Sequence, residues 1–250
     1  MKKKITPVEM EAFRKLLVDP TANPVLVNNI GVQLGLEGRY EDAAKFMEAA
    51  ISLAKNVAAF KVNLAIVKVR LADHERAFEL LEEANSVDPS YTRTQAVLCD
   101  LLTTSLQHKE AVRCFEGRRA REGELDATSV SNYAMSLMET GQLESAVRLL
   151  KGSAISHPNN AGVLNALAVG LYRSQEYPQC VDVLTKLVER YSNHSQYRFN
   201  LTMALMAAKE RNEAIEQYNL LKRSDPELAR KAFEALFGNR IVDAGRPDRF

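Results

Sequence analysis

The feature that most limits how this chain can fold is a small residue that returns at a fixed interval. Ala43, Ala77 and Ala111 are spaced 34 residues apart, and Ala146, Cys180 and Ala214 continue the row after one extra residue. Four positions beyond each stands a bulky side chain: Met47, Leu81, Phe115, Leu150, Leu184 and Tyr218. A spacing of four places both residues on one helical face. The small residue lets a second helix approach closely, where a larger side chain would overpack the contact. Earlier in each period a large residue precedes a small one, at Ile30-Gly31, Leu64-Ala65, Leu98-Cys99, Tyr133-Ala134, Leu167-Ala168 and Leu201-Thr202. Each period thus reads as two packed helices, A and B. Such repetition is the signature of stacked units that bury their faces against neighbours.

With the period opened at Pro24, Ala58, Thr92, Ala127, Ala161 and Ser195, the steps are 34, 34, 35, 34 and 34. The extra residue falls in REGELDA, where Gly123 marks a turn. In the first copy, Leu34 closes helix A, Glu37-Gly38-Arg39 turns, and Tyr40 opens helix B. Pro89, Pro158 and Pro226 break the chain at repeat ends. Thr6-Pro7-Val8-Glu9 has the form of a capping box, and Phe13, Leu16 and Leu17 give the helix it starts an apolar face. Leu228, Phe233, Leu236 and Phe237 form a stripe on a closing helix. The tail from Gly238 onward, rich in charge and turn residues, is expected to be loose.

These residues resemble the tetratricopeptide-repeat family, whose pattern is W-x2-L-G-x2-Y, then A-x3-F, then P, at period 34. The departures are the absence of Trp, Lys61 and Lys68 in repeat two, Arg118 in repeat three, and Leu187 and Leu221 at the second small site of helix B. Repeat three is the weakest copy, because a charge is harder to accommodate there than a leucine. The resemblance implies an all-α, right-handed α-α superhelix with about fourteen helices. Its parts would be a capping helix in 1–23, repeats at 24–57, 58–91, 92–126, 127–160, 161–194 and 195–225, and a capping helix with tail in 226–250.

Composition narrows the function. A net charge of +1 argues against holding nucleic acid by bulk electrostatics. Lys2, Lys3 and Lys4 are followed by a charged, capped segment, not by an apolar signal core. No apolar run approaches the roughly 18 residues that span a bilayer. The expected address is the cytoplasm, or the periplasm if a leader has been removed. Cys99 and Cys180 occupy small-residue slots and are expected as buried thiols, with Cys114 more accessible. His74, His108, His157 and His194 stand in turns or near repeat ends, without a second ligand at helical spacing, and are expected to be solvated. No phosphate loop, zinc motif or nucleophile elbow is present. The chain reads as a non-enzyme without metal or cofactor.

In the family it resembles, peptides lie against a concave face lined by helix A at positions 2, 5, 6, 9, 12 and 13. Position 6 holds Asn29, Asn63, Asn132 and Asn200, broken by Val97 and Ala166. Position 5 holds Asn28, Asn165 and Phe199 among others; position 9 holds Val32, Ile66, Met135 and Met203; position 12 holds Met138, Tyr172 and Met206. A carboxamide both donates and accepts, as a peptide backbone does. Extended peptides present amides every ~3.3 Å, and stacked helices lie on the order of 10 Å apart, so one Asn meets about every third residue. Flexible Met suits adaptable binding. The candidate peptide-binding residues are therefore Asn28, Asn29, Val32, Asn63, Ile66, Arg93, Asn132, Met135, Asn165, Tyr172, Phe199, Asn200 and Met203. The carboxylate clamp of some relatives is incomplete: Asn28 stands where its first Lys belongs, and repeat three offers Arg93 but Val97. The expected role is an adaptor, scaffold or co-chaperone for another protein or peptide, without nucleic acid or membrane insertion. The alternative is self-assembly, with the amphipathic segment MKKKITPVEMEAFRKLL of one chain in the groove of the next.

Overall fold

A computed structural model describes residues 4–244, with side-chain surroundings for residues 4–236. Among the described residues there are fourteen α-helices, one 3-10 turn at Lys15–Leu17 and no strand. An opening helix α1 (Pro7–Arg14) precedes six helix pairs. The pairs are α2 (Pro24–Leu36) with α3 (Tyr40–Leu53), α4 (Ala58–Arg70) with α5 (His74–Val87), and α6 (Thr92–Thr104) with α7 (His108–Glu122). They continue with α8 (Ala127–Glu139) and α9 (Leu143–Ser156), α10 (Ala161–Arg173) and α11 (Tyr177–Arg190), and α12 (Ser195–Ala207) and α13 (Arg211–Ser224). A final helix α14 (Pro226–Ala244) closes the chain. Every helix A begins at the residue that opens its sequence period.

Local chemistry explains where the helices start. The capping box at α1 is complete: Thr6 accepts from the Glu9 amide, and the Glu9 carboxylate accepts from the Thr6 amide. Asn23, Asp126 and Asn160 cap α2, α8 and α10 with their side-chain oxygens. Where helix A gives way to helix B, all six repeats use one backbone device. The fifteenth residue is left-handed each time: Gly38, Ala72, Leu106, Gly141, Gln175 and Lys209, with φ between 59° and 82°. The next residue's amide reaches back to the carbonyl five positions earlier, at 2.8–3.0 Å in every repeat, from Arg39 to Leu34 through Glu210 to Leu205. The left-handed residue itself donates to the carbonyl three positions back at 3.0–3.3 Å. This is the Schellman closure, made here four times out of six without glycine.

The packing follows the sequence pattern. The row Ala43, Ala77, Ala111, Ala146, Cys180 and Ala214 is 0–1% exposed, as the close approach of two helices at a small residue requires. Met47, Leu81, Phe115, Leu150 and Leu184 fill the space one turn on, all buried, while Tyr218 is half-buried. The chain forms two compact units, Met1–Gly123 and Glu124–Phe250. In the first, Met10 of α1 is buried and Phe13, Leu16 and Leu17 pack against the core of the first two repeats. In the second, α14 packs Ala229 and Ala232 against Leu221.

Several expectations change. Cys99 is not a thiol: it forms a disulfide with Cys114, with Cα atoms 5.5 Å apart, and Cys180 is the buried free cysteine. The two residues are 15 apart in sequence, but the antiparallel turn brings α6 and α7 to bridging distance. His108 is not simply solvated, since its Nδ1 is buried without a partner, and His74 shares a hydrogen bond with Ser105 Oγ at 2.7 Å. His194 stacks on Tyr197 with ring centres 3.8 Å apart. The tail continues as helix to Ala244, because no proline follows Pro226 until Pro247; residues 245–250 and the Phe237 side chain lie outside what is described.

The charges that broke the pattern are neutralised locally. Arg118 is 5% exposed and donates through Nη2 to Glu122 at 2.8 Å. Lys68 pairs with Glu48 at 3.1 Å. Lys61, 8% exposed, pairs with Glu83 of the facing helix. The Lys61 hydrogen bond holds the Glu83 carboxyl below its ordinary value of 4.5. A depressed carboxyl stabilises the fold above its unfolded pKa, and that contribution disappears as pH falls through the lower folded value. Below about pH 4.5 the wild-type melting temperature should therefore fall more steeply than that of Glu83→Gln. Parallel acid limbs for the two proteins would refute the contribution. At neutral pH Glu83→Gln leaves Lys61 without its counter-charge, and breaking a buried pair is destabilising by up to ~3–5 kcal/mol. Because the Glu83 side chain is 42% exposed, the lower half of that range or less applies.

Candidate functional site

Among the described residues, the first helices of the repeats carry one construction that is found in both units. In unit 1, an open cavity of about 350 Å³ lies between α2 and α4. Val32 and Gly35 of α2 and Asn63, Ile66 and Arg70 of α4 line it, and Arg93 of α6 closes one side. In unit 2, a cavity of about 220 Å³ lies between α10 and α12. Val169, Tyr172 and Arg173 of α10 and Phe199, Asn200 and Met203 of α12 line it. The repeat positions correspond: 9, 12 and 13 of one repeat, with 6 and 9 of the next. The floors also correspond, since Met47 and Leu184 occupy the same place on their B helices.

Each cavity has a carboxamide rung beside it. Asn63 Nδ2 donates to Asn28 Oδ1 at 3.2 Å, and Asn200 Nδ2 donates to Asn165 Oδ1 at 3.0 Å. Both bonds join position 6 of one repeat to position 5 of the repeat before. The rungs extend sideways, as Asn28 donates to Asn29 at 3.4 Å and Gln196 donates to Asn200 Oδ1 at 3.0 Å. The expected row of Asn is therefore partly structural: it ties neighbouring repeats together. Asn28 is buried, Asn29 is exposed, and Asn63, Asn165 and Asn200 are half-buried.

The two cavities differ in charge. Arg173 is engaged, donating to Glu139 of the preceding repeat at 2.6 Å. Arg70 and Arg93 are exposed and make no ion pair among the described residues. The unit 1 cavity thus has two uncommitted guanidiniums and the unit 2 cavity none. Tyr172 is held edge-on against Tyr177, with ring centres 5.5 Å apart. Asn132, half-buried, and Met135, 48% exposed, lie on α8 and line neither cavity. Met138, expected with them, is 5% exposed and belongs to the core. Gly35, Tyr40 and the floor residues Met47 and Leu184 were not among the candidates. Tyr40, Met47 and Leu184 stand on B helices, which a reading confined to helix A passes over. Among the described residues no cluster of three His, Cys, Asp or Glu side chains is placed to hold a metal ion.

No family model and no curated protein sequence matches the chain. Solved structures do. PilW, a widely conserved type IV pilus biogenesis factor, matches at TM-score 0.77 and 16% identity over 85% of this chain and all of that one. PilF of Pseudomonas aeruginosa matches at TM-score 0.71 and 16% identity, over 90% and 99% of the two chains. YrrB, described as a TPR protein with an unusual peptide-binding site, matches at TM-score 0.58 and 19% identity, over 76% and 99%. The chain has the tetratricopeptide-repeat fold. At these identities the likeness establishes the all-α superhelical repeat architecture and nothing beyond it. Within this tetratricopeptide-repeat chain no described helix is long and apolar enough to cross a membrane.

Proposed function

We propose that this protein is a non-enzymatic adaptor that holds an extended segment of a partner protein along its first-helix face. The observation that carries this reading is the recurrence of one site plan in both units: an apolar cavity, floored by a B helix, beside an inter-repeat Asn rung. The cavity takes an apolar side chain of the ligand. The free hydrogen-bonding capacity of the Asn pair meets its backbone, since a carboxamide has two donors and two acceptor sites and each rung bond uses only one of each. In unit 1, Arg70 and Arg93 favour a ligand with an acidic residue near that side chain. YrrB, a structural neighbour described as having a peptide-binding site, supports peptide as the ligand class.

The alternative, assembly through the N-terminal helix, would require α1 to leave its own chain. Met10 is 4% exposed there, and the Ile5 amide donates to Glu37 Oε1 at 2.9 Å. A concentration-independent monomer mass in light scattering fits the adaptor; concentration-dependent growth that Met10→Asp abolishes would favour assembly.

The binding test compares affinity with stability, using a labelled peptide that alternates Leu and Asp. Arg93→Ala should weaken binding about tenfold, the cost of one charge-assisted contact at ~1.5 kcal/mol, and should change stability by no more than about 0.5 kcal/mol. Asn63→Ala should weaken binding by a factor of about 2–10 and also lower stability by ~1 kcal/mol, because it removes the rung to Asn28. If Asn63→Ala and Arg93→Ala leave peptide affinity intact, the cavity is not the binding site.

A further inference from the structure

The Cys99–Cys114 disulfide joins the two helices of a single repeat. That repeat is the one whose remaining contacts are least apolar. On α7 only Ala111, Val112, Phe115 and Arg118 are buried. Arg118 takes the slot that Ala50, Ala84, Ser153, Leu187 and Leu221 fill elsewhere. On α6 the buried set includes Thr94 and Thr103, and Thr94 Oγ1 and the adjacent-helix His108 Nδ1 are both buried without partners. Unsatisfied buried polar atoms weaken a helix contact. A covalent tie placed there compensates for missing apolar packing.

We propose that the Cys99–Cys114 bond is a redox switch on repeat three, holding α6 against α7 when oxidised and releasing α6, with its Arg93, when reduced. Cys99 is fully buried, whereas Cys114 is half-buried and so offers the accessible sulfur. A thiolate of a dithiol reductant attacks Sγ of Cys114. The protein S–S bond breaks, and Cys99 departs with the electron pair and takes up a proton. The second thiol of the reductant then displaces Cys114, which is also protonated. The protein has gained two electrons and two protons, and the reductant ends as its own disulfide. Exchange with a disulfide oxidant reverses the sequence. Cys180 stands outside this chemistry: it is buried, donates to the Ala168 carbonyl at 3.2 Å, and burial pushes its thiol up to about 11. The effect on ligand binding rests on the reading of the unit 1 cavity as a peptide site; the loosening of repeat three does not.

The experiment uses the full chain, air-oxidised or reduced with dithiothreitol. Alkylation after unfolding, read by mass spectrometry, should find one thiol in the oxidised protein and three in the reduced one. Amide exchange in α6 and α7 should rise about tenfold or more on reduction, with α10–α13 unchanged. Affinity for the Leu–Asp peptide should fall in parallel, and Cys99→Ala/Cys114→Ala should behave as the reduced protein at any redox poise. Equal exchange in α6 and α7 for the two wild-type states would overturn the switch, as would free Cys99 and Cys114 in the air-oxidised chain. The wild-type comparison decides even if the double variant fails to fold. An oxidised protein that ignores the peptide while α6 and α7 still respond to reduction would refute the binding site and leave the switch standing.

Discussion

Phe115→Ala should lower the stability of unit 1 by about 3–5 kcal/mol, the range for emptying a fully buried aromatic site. The ring has no solvent exposure and fills the α7 slot one turn beyond Ala111, itself wholly buried. The size of such a loss depends on whether the surroundings can collapse. Here they are restrained, because the neighbouring Cys114 is bonded to Cys99 and fixes α7 against α6. Stacked repeats couple mainly to their neighbours, so the loss should appear first in repeats two and three. The transition that reports unit 1 should move down by on the order of 10 °C. Calorimetry with amide exchange resolved by helix would check both amount and place. A loss under about 1 kcal/mol would mean that the site closes over the missing ring.

Gly31→Leu is the second large effect, and it acts by crowding. A Cβ built on Gly31 would lie 2.8 Å from Met47 Cγ and 3.0 Å from the Ala43 carbonyl oxygen. The methionine can move, but the carbonyl belongs to the α3 backbone and cannot do so without displacing the helix. Overpacking of this kind costs about 1–3 kcal/mol, occasionally more, and Leu adds three further carbons to the clash. Removing a helical glycine returns at most ~1 kcal/mol, so the net sign is destabilising. The control is Gly152→Ala, where the added carbon meets nothing within 4 Å. There only the propensity gain remains, and stability should rise by up to ~1 kcal/mol. Chemical denaturation of both variants tests the pair, and the same sign for both would show that crowding at Gly31 was misjudged.

The repeat architecture was legible because close helix contact imposes a size limit that any reader of the chain can see. The row from Ala43 to Ala214 needs no three-dimensional information. What escaped the sequence depends on facing partners. Cys99 looked like one more small residue, and nothing fifteen residues on marked Cys114 as its mate. Met135 and Met138 are three apart on one helix and look equivalent, yet one is exposed and the other is core. Asn63 and Asn200 stood out as members of a recurring Asn position. Their partners, Asn28 and Asn165, lie in the preceding repeat 35 residues away, so the part of their role that is structural appeared only with the fold. The cavity floors were hidden because Met47 and Leu184 reach them from the second helix.

The left-handed turn between the helices of each repeat is specified by the backbone more than by its side chains. The turn is closed by two main-chain hydrogen bonds, identical in all six repeats, whether the residue at its apex is Gly, Ala, Leu, Gln or Lys. For the four non-glycine residues that conformation costs roughly 1–2 kcal/mol each, a strain the surrounding helices tolerate. A motif written in peptide groups leaves little trace in the alphabet of side chains. The repeat can therefore keep its length and its turn whether or not glycine stands at the apex. The same backbone closure thus serves six repeats of differing sequence, in a chain that shares its fold with PilW over 85% of its length at 16% identity.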